Sequence, residues 1–214
     1  ITAGVFIVNG TKIKNLTHRG SVTTYGVNDM VLDTWVYVEK WIAEKPITSY
    51  GPSGIGFVNF GTVNDFEAKD KIETFGSGAR GFNQYDGTVK KAVFHSIITH
   101  GNGSIGMQFS KAVGSIEVKN GVATNGSVGQ SLVKGVIMTL PADAISVKPG
   151  GEINLLKISG GITTHGNNVH TYYVEGGIVH ELSLKGDIVA NGDNSIAVAV
   201  TDSGETPLTN ISAV

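Results

Sequence analysis

The chain has 214 residues with 30 glycines, five prolines and no cysteine, and its 16 basic and 18 acidic side chains leave a formal charge of −2. The lack of cysteine removes disulfides and thiolate chemistry, and the near-neutral charge without a basic cluster argues against a nucleic-acid partner. No apolar run approaches the ~18 residues of a membrane-spanning helix, and the length suits one domain, residues 1–214.

The opening Ile1-Thr2-Ala3-Gly4 reads as a truncated copy of a phrase that follows, so the sequence is expected to be a piece of a longer protein. The phrase itself recurs as VTTYG, ITSYG, IETFG, IITHG, VATNG, ITTHG and IVANG. Its glycines, Gly26, Gly51, Gly76, Gly101 and Gly126, keep a constant interval, and Gly166 and Gly192 continue the series after one long gap and one nearly regular one. A fixed period of about 25 residues is the signature of a solenoid.

Within each period three short strands are predicted. Val22, Ile47, Ile72, Ile97, Val122, Ile162 and Ile188 form an aliphatic column, and the residue two further on, Thr24 through Ala190, shares its face because strand side chains alternate. Six residues after each glycine comes a second apolar column, Leu32, Phe57, Phe82, Met107, Leu132, Tyr172 and Val198. The third strand ends near Ala43, Ala68, Val93, Val118, Ile158 and Leu184. Three strands and three turns per rung, stacked about 4.8 Å apart, give an all-β parallel β-helix of about seven rungs. The glycines suit tight turns, where they permit positive φ.

Two segments depart from the beat. Val31 to Lys45 contains both tryptophans, and Trp35, Val38, Trp41 and Ile42 have a helical spacing. Trp41 also falls in the inward column of Leu16, Phe66, Ile116, Leu156 and Leu182, which favours a strand. The long gap between Gly126 and Gly166 places an apolar insertion near residues 135–148, read as a β-excursion folded back on the solenoid, with a partner-contacting loop as the alternative.

Two aromatic rows are the candidate ligand-binding residues. One is Tyr25, Tyr50 and Phe75, continued by His100, Asn125, His165 and Asn191; the other is Trp35, Phe60 and Tyr85. Stacked rings stabilise a ladder by themselves, whereas an exposed row offers a platform for sugar rings or a protein partner. Catalytic candidates are sparse: Asp70 and His95, one rung apart, could form a carboxylate–imidazole dyad. Asp and Asn also suit turns for backbone reasons alone. His100 and His165 lie two rungs apart, too far for one metal, and neither a metal nor another cofactor is implied. Arg80, Gln130 and His170 are polar in a column that elsewhere holds Met30, Ile55, Ile105 and Ile196, so they are either buried or turned outward by a register shift. Sequons stand at Asn9, Asn15, Asn102, Asn125 and Asn210.

The phrases ITHGNGSIGM (98–107) and ITSYGPSGIGF (47–57) resemble the T-x-G-x-x-S-x-G-I rungs of passenger regions in bacterial autotransporters and related surface adhesins. The resemblance covers about residues 20–200 and is a rung pattern. It implies a right-handed β-helix and a secreted or surface-displayed protein, expected to act as a non-catalytic stalk or adhesin with a glycan or a host-surface protein as partner. The alternative is a polysaccharide-active lyase, hydrolase or epimerase of the same architecture. An ice-binding role ranks third, because the recurrent threonines are assigned inward.

Overall fold

The computed structural model describes residues 2–8, 10–209 and 211–214. The described residues form a parallel β-solenoid of about eight turns, with three strands per regular turn lying in three sheets. Sheet I has eight strands: Ala3–Ile7, Met30–Thr34, Ile55–Asn59, Arg80–Gln84, Ile105–Phe109, Ile145–Val147, His170–Glu175 and Ile196–Thr201. Sheet II stacks seven longer strands from Lys12–His18 to Ile178–Lys185, and sheet III stacks seven three-residue strands from Val22–Thr24 to Ile188–Ala190. The extra turn beyond the seven expected comes from Ala3–Ile7, which pairs in parallel with Met30–Thr34 although no glycine of the beat precedes it.

The predicted columns form the core. Ile47, Ile72 and Ile97 occupy register positions directly above one another and are fully buried. The small polar column Thr24, Ser49, Thr74, Thr99, Thr124 and Thr164 is buried beside it. Thr99, Thr124 and Thr164 bond within their own turn, as when Thr99 Oγ1 donates to the Ser104 carbonyl at 2.9 Å, whereas Thr24 Oγ1 donates to Ser49 Oγ of the next rung and Thr74 Oγ1 has no partner. Val31 to Lys45 contains no helix: Tyr37–Ala43 is a strand, and Trp41 is wholly buried between Phe57 and Phe66. Its indole N–H reaches His18 Nδ1 at 3.3 Å, so burial leaves that donor satisfied.

The glycine beat has a different physical cause from the one composition suggests. None of the seven beat glycines has positive φ. Instead six of them stack on the backbone of the rung before: a Cβ at Gly51, Gly76, Gly101, Gly126, Gly166 or Gly192 would overlap the carbonyl oxygen of the preceding beat glycine, while one at Gly26 would meet the Asp29 carboxylate. The left-handed conformation falls two residues later, at Asn28, Ser53, Gly78, Gly103, Asn168 and Asn194. Asn and Gly are the residue types that tolerate it best.

Two further expectations are corrected. Val93 does not end its strand; Phe94 does, pairing with Ala68 and Val118, because the turn at Asp86–Gly87 carries one additional residue with Gly87 at φ +61°. The insertion begins earlier than residue 135. Gly129–Val133 and Val136–Leu140 form an antiparallel hairpin across a Lys134-Gly135 turn with both φ values positive, the two-residue geometry that matches strand twist. Leu132, expected in the core column, sits in this hairpin, and Ile145 replaces it above Met107. Ile145 to Val147 therefore belongs to the core. The position two residues after Gly126 is Val128, a β-branched residue poorly suited to the left-handed conformation its equivalents adopt, and there the chain leaves the solenoid.

Substituting Ile72 by Asp places an unpaired charge at a fully buried position in the middle of sheet III. The variant is expected to lose more than about 4 kcal/mol in urea unfolding; a melt matching the parent would refute the inward assignment.

Candidate functional site

The outer face of sheet I carries the residues that break the repeat. Strand alternation fails at one point in each rung, because Gly56, Gly81 and Gly106 direct their missing Cβ toward Ile72, Ile97 and Val122 of sheet III, while the next residues, Phe57, Phe82 and Met107, are also buried in the core. Two consecutive inward positions turn the preceding residue outward. Arg80 therefore shares the outer face with Met30 and Ile55, not the core face with Phe82. No register shift is involved: Met30, Ile55, Arg80 and Ile105 keep the regular register, and the column to which Arg80 belongs faces outward as a whole.

The hairpin closes over that face. Ser131 Oγ donates to the Gly78 carbonyl at 2.7 Å, and the Leu132 N–H donates to Ser53 Oγ at 2.8 Å. Between the hairpin and sheet I lies a groove of about 300 Å³, walled by Met30, Ile55, Val58, Phe60, Tyr85 and Leu132 and floored by Arg80 and Asn83. Lys134, at the hairpin turn, places Nζ 5.1 Å from the Tyr85 ring centroid. Arg80 is almost fully buried, and its hydrogen bonds run to Gln108 Oε1, Ser131 Oγ and the Gly78 carbonyl. Burial pushes the guanidinium down to about 10, partly offset by the nearby Tyr85, so it remains cationic at neutral pH. No carboxylate lies within ion-pair distance of it among the described residues. Both amide atoms of buried Asn83 lack a hydrogen-bond partner.

Both aromatic rows are ladders. Tyr25, Tyr50, Phe75 and His100 stack face to face with centroids 5.2, 4.8 and 4.5 Å apart and interplanar angles of 11° or less. Tyr25, Tyr50 and Phe75 are exposed, but their faces cover one another, so the row presents mainly ring edges and the outer face of Tyr25. Trp35 stacks on Phe60 at 4.4 Å, and Phe60 tilts against Tyr85 at 5.1 Å and 43°. Phe60 and Tyr85 belong to the groove wall, with Trp35 exposed beyond it.

The other polar candidates separate. Asp70 and His95 do not meet: Asp70 Oδ1 accepts from the Lys71 N–H at 2.8 Å, and His95 Nδ1 pairs with Asn120 Nδ2 at 3.2 Å. Their turn geometry spaces them by a rung and points each at a different neighbour. Gln130 lies in the hairpin, not in the column with Arg80. Asp143 takes that place, between Ile105 and His170. Asp143 is buried, and its Oδ1 accepts from both the His170 N–H at 2.8 Å and His170 Nδ1 at 3.1 Å, while the ring stacks on Tyr173 at 4.3 Å. This carboxylate–imidazole pair was hidden in sequence because the hairpin adds its own length to the rung and displaces the count. Asn15, Asn102 and Asn125 are exposed; Asn9 and Asn210 lie outside the described residues. Among the described residues no cluster of three or more His, Asp or Glu side chains is placed to hold a metal, and no helix is long and apolar enough to cross a membrane.

Compared with protein-family models, curated proteins and solved structures, the chain matches none of them. The candidate site therefore rests on its own geometry.

Asp33, on the outer face one rung before Val58, accepts the Trp35 indole N–H at 3.2 Å through Oδ2 while Oδ1 is buried without a partner. Burial raises its carboxyl to about 6, against the opposing effect of the Trp35 bond. The folded state thus favours the protonated acid, and its stabilising contribution, complete below the unfolded value of 3.8, is lost as pH rises through about 6. Asp33→Asn is expected to be more stable than the parent at pH 8 by about 1–2 kcal/mol after solvent screening is allowed for, and nearly equal to it at pH 4. Thermal melts at the two pH values check this.

Proposed function

We propose that this chain is a non-catalytic module of a secreted or surface-displayed protein, a rigid stalk that carries one recognition element, the hairpin. The observation that carries the reading is that the hairpin pairs only with itself and lies outside the three parallel sheets, yet displays apolar side chains. Val136 and Ile137 are 61% and 60% exposed and Met138 is 45% exposed, and Val128 at the base of the hairpin is exposed as well. Exposed apolar residues grouped in this way mark contact surfaces, whereas scattered ones do not. The stacked rungs supply rigidity, since each turn is fixed by hydrogen bonds to the turns on both sides. The resemblance of the rung phrases to surface-displayed solenoids supports the location and makes a glycan or a host-surface protein the partner classes to test.

Met107 and its register partner Ile145 are separated by one regular rung plus a segment as long as Gly129 to Pro141. The Ala142 carbonyl accepts from Thr124 Oγ1 as the Ser104 carbonyl accepts from Thr99 Oγ1, so removing Gly129 to Pro141 restores a regular rung. The deletion variant is expected to keep the parent's circular dichroism and lie within about 2 kcal/mol of its stability, while losing binding on a glycan array or to host-surface protein. Undiminished binding by the deletion variant would refute the hairpin as the recognition element.

A carbohydrate-active enzyme is the second reading, favoured by the Asp143–His170 pair, in which the carboxylate fixes the ring through Nδ1 and leaves Nε2 to act as a base. Polysaccharide cleavage abolished by His170→Ala would establish it over the stalk.

A further inference from the structure

The groove beneath the hairpin is distinct from the hairpin's exposed face and has a chemistry that the solenoid does not require. Comparison with the adjacent rungs shows this directly. The residues in register with Arg80 are Ile55 and Ile105, and the residue in register with Asn83 on one side is Val58. Aliphatic side chains therefore fit these positions, yet Arg80 and Asn83 are 3% and 1% exposed and hold a full positive charge and an amide whose oxygen and nitrogen are both unpaired. A buried cation facing only neutral acceptors and a buried amide facing none are each costly. A hydrogen bond to Ser131 could pin the hairpin without either a charge or the second polar residue.

We infer that this groove binds an amphipathic monocarboxylate, an apolar acyl or aromatic body with one anionic head, whose carboxylate pairs with the Arg80 guanidinium and accepts from the Asn83 amide while its body lies against Met30, Ile55, Val58, Phe60 and Leu132. The guanidinium fork matches the two carboxylate oxygens, and Lys134, which also lines the groove, is held at its mouth over the Tyr85 ring, so Arg80 is the buried cation that the head group meets. The walls are aliphatic and aromatic, so the body of the ligand is apolar, and a free sugar would meet too few polar partners. On entry the carboxylate replaces Ser131 Oγ as the acceptor of the Arg80 Nη1 bond, now 3.1 Å long, exchanging a neutral partner for a charged one. That exchange requires the hairpin to move away from sheet I and to give up the Ser131–Gly78 and Leu132–Ser53 bonds that hold it there. The inference does not depend on the stalk-and-hairpin reading, because the exposed hairpin face could bind a glycan whether or not the groove is filled.

The test is calorimetric titration of the full chain with octanoate, octanol, octyl sulfate and galacturonate, repeated on Arg80→Ile and Asn83→Val, which copy the neighbouring rungs. Octanoate should bind at one site at least tenfold more tightly than octanol or galacturonate and more tightly than octyl sulfate. Asn83→Val should melt at or above the parent's temperature, since it removes an unpaired buried amide, and should weaken octanoate at least fivefold; Arg80→Ile should abolish binding. If Arg80→Ile fails to fold, Asn83→Val decides alone. The inference is overturned if octanoate does not bind, if octanol or galacturonate equals it, if octyl sulfate is preferred, or if Asn83→Val binds octanoate as the parent does. Glycan binding that persists in both variants would leave the hairpin reading standing while the groove assignment fell.

Discussion

Everything in this molecule depends on how closely one turn approaches the next at the glycine column. Gly51, Gly76, Gly101, Gly126, Gly166 and Gly192 each sit where a side chain would collide with the carbonyl of the glycine below. That contact brings the corner between sheets III and I into backbone register, and the register in turn aligns every column that follows. The aliphatic row of sheet III, the buried hydroxyl row and the phenylalanines of sheet I share a vertical line because the corner next to them cannot slip. A strand whose side-chain period is two would move its whole apolar face to solvent if it slipped by one residue.

The same vertical alignment explains both the strengths and the limits of the candidate site. Residues that recur at one position are held one rung apart, so aromatic repeats become stacks, and Asn side chains at the turns reach the backbone of the next rung, as in the bond from the Ser127 N–H to Asn102 Oδ1. Stacking uses the ring faces. A repeated aromatic column is consequently a good structural seam and a poor face-on platform for sugars, and chemical novelty arises where the repeat is broken. The hairpin, Arg80, Asp143 and His170 are such breaks, while Asn83 stands in a mixed column with Asp33, Val58, Gln108 and Ser146. Arg80 and Asn83 lie together under the hairpin, whereas Asp143 and His170 follow it in the chain and occupy one outer column because the hairpin removed Gln130 from that line.

Much of the solenoid was legible in the sequence because its constraint is periodic. The columns through Ile72 and Thr74 could be assigned from spacing, and Trp41 could be placed inward by its register with Leu16 and Phe66 against a competing helical spacing. What spacing could not reveal were local changes of count. The residue added at Asp86–Gly87 moved Phe94 into Val93's expected place, and the hairpin replaced Leu132 by Ile145. The signals were present in chemistry, not in period: Lys134-Gly135 between two apolar runs is a hairpin turn, and Val128 is a poor residue for the left-handed position. The groove was less legible still. It joins residues from the rungs around Ile55 and Arg80 to a hairpin two rungs further along the chain, and the outward turn of Arg80 depends on two consecutive inward residues that simple alternation forbids.

The central role of the glycine column is tested most directly by comparing two substitutions that are equivalent in composition. Gly101 stacks on Gly76, whereas Gly20 has no atom within 4 Å of a built Cβ, and neither has positive φ. In equilibrium unfolding, Gly20→Ala should be neutral or slightly stabilising, by up to about 1 kcal/mol, through the unfolded chain. Gly101→Ala should cost more than about 3 kcal/mol, because the collision is with backbone that cannot move without displacing a rung. Equal effects of the two substitutions would contradict backbone stacking as the constraint that sets the register of the solenoid.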